Sequence, residues 1–206
     1  IHLPIRTFFS FACLSICLLA GPALASSELS GREIAWKAYR ADNSQDALRR
    51  MVMVIEKDGS KLVREMEMLT RKFAPDERTL IRFLAPPDVR NNKYLTWSWE
   101  NAEKSSDMWL FLPSENLVRR INDGGKKSAF MRSDLANEDM EKRSVLADEQ
   151  KLLRKEEQGG FTCLVVEYIP YNIDKTNYSR RVAWIREDIW HPAQIEYCDQ
   201  RGDLHK

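Results

Sequence analysis

Two periods of hydrophobicity divide the chain. Near the front, Ile34, Ala35, Trp36, Ala38 and Tyr39 recur at helical spacing and make one wide apolar face. Ser30-Gly31-Arg32-Glu33 stands ahead of them as a capping box, in which the Ser30 hydroxyl accepts from the Glu33 amide while the Glu33 carboxylate reaches back. The pattern predicts a helix that opens at Ser30 and ends at Asp42-Asn43-Ser44. Three turns of helix bury such a face only against something larger. From Ala47 onward the period drops to two and turn residues recur about every ten positions, so the larger element is a sheet.

The sheet's register follows from Asp58-Gly59, a two-residue turn of the hairpin type. It pairs Lys57 with Ser60 and, outward from there, Glu56 with Lys61 and Arg50 with Glu67. Opposite charges across the ladder mark that face as solvated. The other face receives Met51, Met53 and Ile55 from the first strand and Leu62, Met66 and Met68 from the second. A slip of one residue would exchange the faces, so the sorting specifies the register. Arg64 falls on the apolar face and must find an anion there, either an internal acid or the headgroup of a ligand.

Further period-two segments lie at 79–84, 94–99, 108–112, 117–121, 161–169, 180–185 and 194–198, separated by Pro, Gly, Asn and Ser clusters. They predict an α+β fold, mainly antiparallel β, arranged as a meander. Residues 134–157 have a poor pattern in which helix, loop and one short strand around Leu152-Leu153 all remain open. Trp97 and Trp99 share a strand face with Leu95, and such aromatics serve equally as cavity lining or as ordinary core. The methionines carry the same ambiguity, because apolar pockets and cores have one composition.

The first 25 residues read as a secretory signal. Arg6 precedes an apolar run over residues 8–20, and Ala23-Leu24-Ala25 forms an A-x-A cleavage site. The run is short for a membrane span, and no later stretch reaches the roughly 18 apolar residues of a second anchor. Pro22 stands where a lipobox would need cysteine. The reading is therefore export with cleavage after Ala25, an uncleaved anchor being the competing one. Residues 26–206 are then a single domain.

Charge narrows the function. Lysine and arginine number 32 against 31 acids, so the basic excess that nucleic-acid binding exploits is missing. Cys163 and Cys198 are the cysteines left beyond the signal, and in a meander they sit two strands apart, about 9–10 Å, beyond disulfide reach. No G-x-S-x-G, H-E-x-x-H, P-loop or dinucleotide glycine motif is present, and His191, in Trp190-His191-Pro192, reads as a surface histidine in a turn. The acidic group Asp134, Glu138, Asp139 and Glu141 lacks metal-loop spacing and reads as a helix start or a solvated face. The chain carries no case for catalysis, a metal or a cofactor.

Phe130-Met131-Arg132-Ser133-Asp134-Leu135-Ala136-Asn137-Glu138-Asp139, with Trp109-Leu110-Phe111-Leu112-Pro113 and Val118-Arg119-Arg120-Ile121, resembles the LolA-like family of periplasmic, outer-membrane lipoprotein-sorting proteins. The stretches from Trp184 to Pro192 and from Ile195 to Asp199 are similar to it as well. Arg132 stands where that family usually has glycine, and Asn137 where an aromatic is common. The resemblance implies a curved, unclosed half-barrel with helices packed on its concave side and acyl chains held there without catalysis. Under that reading the chain-binding residues are Met51, Met53, Ile55, Leu62, Met66, Met68, Trp97, Trp99, Phe130 and Met131, and Arg64 is the headgroup residue. The implied function is a monomeric periplasmic carrier of lipid or lipoprotein acyl chains toward the outer membrane, working with an inner-membrane exporter. The alternative is a periplasmic sensor of lipids or mislocalised lipoproteins. The chain opens at Ile1 and closes just after the turn Asp199-Gln200-Arg201-Gly202-Asp203, which predicts further strands beyond Lys206.

Overall fold

Ser30 opens helix α1 (Gly31–Arg40) in the computed structural model, which describes residues 29–206 apart from Asn43. The expected signal and its cleavage site lie outside the described residues. The capping box is closed on both sides: the Ser30 amide donates to Glu33 Oε2 at 2.8 Å and the Glu33 amide donates to Ser30 Oγ at 3.2 Å.

Strands β1 (Asp46–Lys57) and β2 (Ser60–Phe73) meet in the register that Asp58-Gly59 demands. Lys57 faces Ser60, Glu56 faces Lys61, and Arg50 faces Glu67. Asp58 and Gly59 take φ of 50° and 75°, the left-handed geometry of a tight hairpin turn. The meander continues through β3 (Asp76–Ala85), β4 (Lys93–Ser98), β5 (Asp107–Leu112) and β6 (Leu117–Ile121), six antiparallel strands in chain order.

The chain then leaves the sheet. Residues 123–147 form a strap made of α2 (Asp123–Lys126) and three single turns of 3-10 helix. Beyond it lies a second antiparallel sheet, ordered β10-β9-β8-β7, of β7 (Asp148–Gln158), β8 (Phe161–Pro170), β9 (Tyr178–Arg186) and β10 (Pro192–Asp199). The strands thus form two unclosed sheets and not one continuous meander. Of the readings open for residues 134–157, helix, loop or a short strand, a strand holds at Leu152-Leu153, but as the full-length β7. Its sequence is mostly charged, it lies at a sheet edge, and a bulge at Leu153 breaks the alternation that would have marked it.

Each sheet has its own core. On the first, Met66, Ile81, Phe83, Tyr94 and Met108 pack under Phe130 of the strap. On the second, α1 lies across the inner face, where Ile34 packs on Leu164, Val166, Ala183 and Ile185. Cys163 and Cys198 lie on β8 and β10, either side of β9, as buried free thiols. The whole is a curved antiparallel half-barrel, left unclosed, with a helix on its inner side.

Candidate functional site

The inner face of the first sheet is divided between packed core and open cavity. Met66 and Phe130 are 2% and 1% exposed, and the Phe130 ring stands edge-on to Tyr94 at 5.2 Å. Met53 and Met131 pack against that cluster. Ile55 and Leu62 face each other near the hairpin tip, where Leu62 is exposed. Of the expected chain-binding residues, Met51 and Met68 alone line the cavity. Trp97 and Trp99 require a correction. On β4 the inner positions are Tyr94, Thr96 and Ser98, all buried, so Trp97 points to the outer face and stacks there on Trp99 at 4.7 Å. The pairing of Ile81 with Tyr94 sets that parity.

Arg64 is 4% exposed, and its guanidinium donates to the carbonyl of Met131. Burial pulls its pKa below the usual arginine value, with Asp88 acting only as a partial offset. Among the described residues no carboxylate forms an ion pair with it: of the two partners left open by the sequence, an internal acid or a ligand headgroup, the internal one is a backbone oxygen instead. That oxygen belongs to a strained turn: Met131 and Arg132 both adopt left-handed φ, 49° and 63°. The resemblance leads to an expectation of glycine at Arg132, and the backbone there has the conformation glycine favours.

The cavity, about 540 Å³, lies between the sheets. Its apolar side comes from Met51 and Met68, from Ala35 and Ala38 of α1, from Met140 of the strap, and from Ala183, Ile185 and Ile195 of the second sheet. Its polar side is a chain of ion pairs. Asp148, 1% exposed, receives Arg143 at 2.8 Å and also Arg181. Lys142 pairs with Glu77 at 3.1 Å, and Arg49 with Asp42. His191 lies on the lining as an exposed residue, its Nδ1 at 3.1 Å from the Ile189 carbonyl.

Of the acidic group of the strap, Asp134 is exposed and Glu138 and Asp139 do stand in the first turn of a 3-10 helix (Asn137–Met140), but these last two are tied to distant partners and are not a solvated face. Glu138 accepts from the Thr176 hydroxyl at 2.6 Å and the Asn177 amide at 2.8 Å. Asp139 accepts from the Ala136 amide at 2.7 Å and the Tyr178 hydroxyl at 3.0 Å. Burial raises the pKa of Glu141, against weaker pulls from Ser106, Lys126 and Arg143. Glu138 and Asp139 fasten the strap to the second sheet, a role that only partners distant in sequence reveal. Among the described residues no cluster of His, Cys, Asp and Glu is arranged to hold a metal ion.

Two unclosed sheets around an inner cavity, with a strap across the first, define a LolA-like fold. Comparison with solved structures agrees. A DUF1329 family protein from Desulfovibrio piger is 37% identical with a TM-score of 0.79, over 84% of this chain and 74% of that one. A domain from Vibrio parahaemolyticus, provisionally named as an outer membrane lipoprotein-sorting protein, is 27% identical with a TM-score of 0.77 over the same shares. A LolA superfamily protein from Nitrosomonas europaea shares 19% identity and a TM-score of 0.57, over 86% of this chain and 75% of that one. Residues 75–206 match a family model described as an uncharacterized protein. No curated protein matches. The chain belongs to the DUF1329 family.

Proposed function

We propose that this protein is a non-catalytic periplasmic carrier that holds lipid or lipoprotein acyl chains in the inter-sheet cavity for transfer toward the outer membrane. One observation carries the reading. A cavity of about 540 Å³, of the size that ligand pockets take, runs between Met51, Met68 and Met140 on one side and Ile185 and Ile195 on the other. Unbranched thioethers repack cheaply around chains of variable shape. The name of the Vibrio relative points the same way. An inner-membrane exporter is the partner this role calls for, as donor of the cargo.

Displacement of a fluorescent fatty acid tests the reading. Met51→Glu, whose direct cross-strand partner is the apolar Met66, places a carboxylate on the apolar wall and should weaken binding at least tenfold, since a charge without a partner in a desolvated site costs several kcal/mol. Val52→Glu, at an outer-face position 65% exposed, should leave affinity unchanged. Circular dichroism checks that both variants fold. Equal affinity for the two variants, or none in the parent protein, removes the carrier reading.

A further inference from the structure

One row of side chains on the outer face of the first sheet is apolar where that face should be polar. Leu48, Leu69, Leu80, Leu95 and Trp109 stand directly opposite one another across β1 to β5. Their sequence neighbours Met68, Ile81, Tyr94 and Met108 point into the first core, so the row points away from the cavity. At about 4.8 Å between strands it runs about 19 Å without a polar residue. Leu48 and Leu69 are 65% and 41% exposed, and the other three are half-buried. The solvated face of an antiparallel sheet is ordinarily polar, and a continuous apolar row on it marks a surface that another surface covers.

The flanking rows decide what kind of surface that is. On one side run Asp46, Arg71, Arg78, Trp97 and Asp107, on the other Arg50, Glu67, Arg82, Lys93 and Phe111, strand by strand from β1 to β5. Both flanks carry both signs, whereas a bilayer surface or a polyanion calls for a run of bases. The two flanks complement each other. A twofold axis laid along the leucine row turns one copy onto another, strand over strand with direction reversed, and sets each flank over the opposite flank of the other copy. Asp46 then meets Arg50 of the second copy and Arg71 meets its Glu67, each twice by symmetry. Lys93 meets Trp97 and Asp107 meets Phe111, with no clash of charge. Arg78 and Arg82 are the one like-charged meeting, and each is engaged within its own chain: the Arg78 guanidinium lies 3.5 Å from the centre of the Trp97 ring, and Arg82 pairs with Glu67. An axis along the strands, between β2 and β3, would instead set Arg71 over Arg78 and Arg50 over Lys93.

We infer that two copies of this chain pair through the outer faces of their first sheets, leucine row on leucine row. Face-to-face packing of sheets in near alignment is the arrangement such faces take. The outer face of the half-barrel is convex, so the copies meet along the middle strands, where Leu69, Leu80 and Leu95 line a shallow depression, and part toward the edges. The cavity lies on the opposite side of the sheet and stays open in the pair.

Sedimentation equilibrium of the full chain over a range of concentrations should show a reversible dimer. Leu69→Arg sets like charges face to face at the axis and should raise the dissociation constant about tenfold or more, the weight of a central interface residue. Val52→Arg, at a position 65% exposed on the same face but two rows away, should leave it unchanged. Circular dichroism checks that both variants fold. Asp46→Arg alone and Arg50→Asp alone each set like charges at the meeting of those residues and should dimerise more weakly than the parent. An equimolar mixture of the two should form the mixed dimer in preference to either, as read by native mass spectrometry, because the charges there are opposite again. This pair of variants supplies a readout should Leu69→Arg fail to fold. A parent that stays monomeric at its highest soluble concentration overturns the inference, and so does a dimer that Leu69→Arg leaves intact. Absence of preference for the mixed dimer overturns the axis along the row. Flotation of a monomeric parent with anionic vesicles, abolished by Leu69→Arg, assigns the row to a membrane instead and overturns the pairing.

Discussion

Glu141 shows how a residue's neighbours outweigh its type. In the sequence it is one acid among four; in the fold it is enclosed by the strap, and burial lifts its pKa above the ordinary 4.5. Because the folded state then holds its proton more tightly than the unfolded chain, stability falls as pH rises from that ordinary value through the raised one. Glu141→Gln keeps an acceptor for Ser106 and removes the charge. It should be more stable than the parent at pH 7 and indistinguishable from it at pH 4 and below, where the parent carboxyl is protonated, as read from urea midpoints across that range. A variant equal or inferior at neutral pH would show that Glu141 is not penalised by burial. Strand parity, by contrast, was readable residue by residue. Asp58-Gly59 set which of Met51 and Val52 points inward, because alternation admits only two answers. Trp97 was placed with the lining because aromatics read alike on either face of a strand. The pairing of β4 with β3 sends it outward.

At the scale of elements, α1 was legible from its cap and its apolar stripe, but its seat was not. A Cβ built on Gly31 would stand 2.7 Å from the Leu152 amide nitrogen and 2.8 Å from the Gln150 carbonyl oxygen, both backbone atoms of β7. Gly31→Ala should therefore destabilise the protein by about 1–3 kcal/mol in urea unfolding, as overpacking does. The sign opposes helix propensity, which favours alanine by about 1 kcal/mol. A stabilised variant would mean that helix and strand do not approach so closely. β7 escaped recognition because Lys, Arg and Glu dominate it and its bulge interrupts period two. The capping box needs only four consecutive residues, whereas the helix-to-strand contact joins residues more than a hundred positions apart.

Over the whole molecule, the strap and the second sheet are joined where Asp148 meets Arg143 and Arg181. The carboxylate is 1% exposed and the two arginines belong to the strap and to β9. Asp148→Ala leaves two guanidinium groups in a mostly buried wall without their counter-charge. Breaking a buried ion pair in this way costs about 3–5 kcal/mol, so a loss near the lower figure is expected, since both arginines keep some contact with solvent. Hydrogen exchange should show the greatest loss of protection in residues 137–148 and at the start of β9. Unchanged stability would mean that the triad does not hold strap and sheet together.

Local pattern was enough for the α1 cap, the hairpin register, most strand positions and the LolA-like resemblance, because each depends on residues close in sequence or on a short motif. The division into two sheets, the closure of the trough by Phe130, the burial of the strap's acids and the survival of one cavity beside Met51 and Met68 depend on contacts across long separations. A methionine facing inward is equally suited to core and to pocket. Whether it meets another side chain or empty space is settled by what the rest of the chain brings opposite it, and no stretch of sequence contains both halves of that contact.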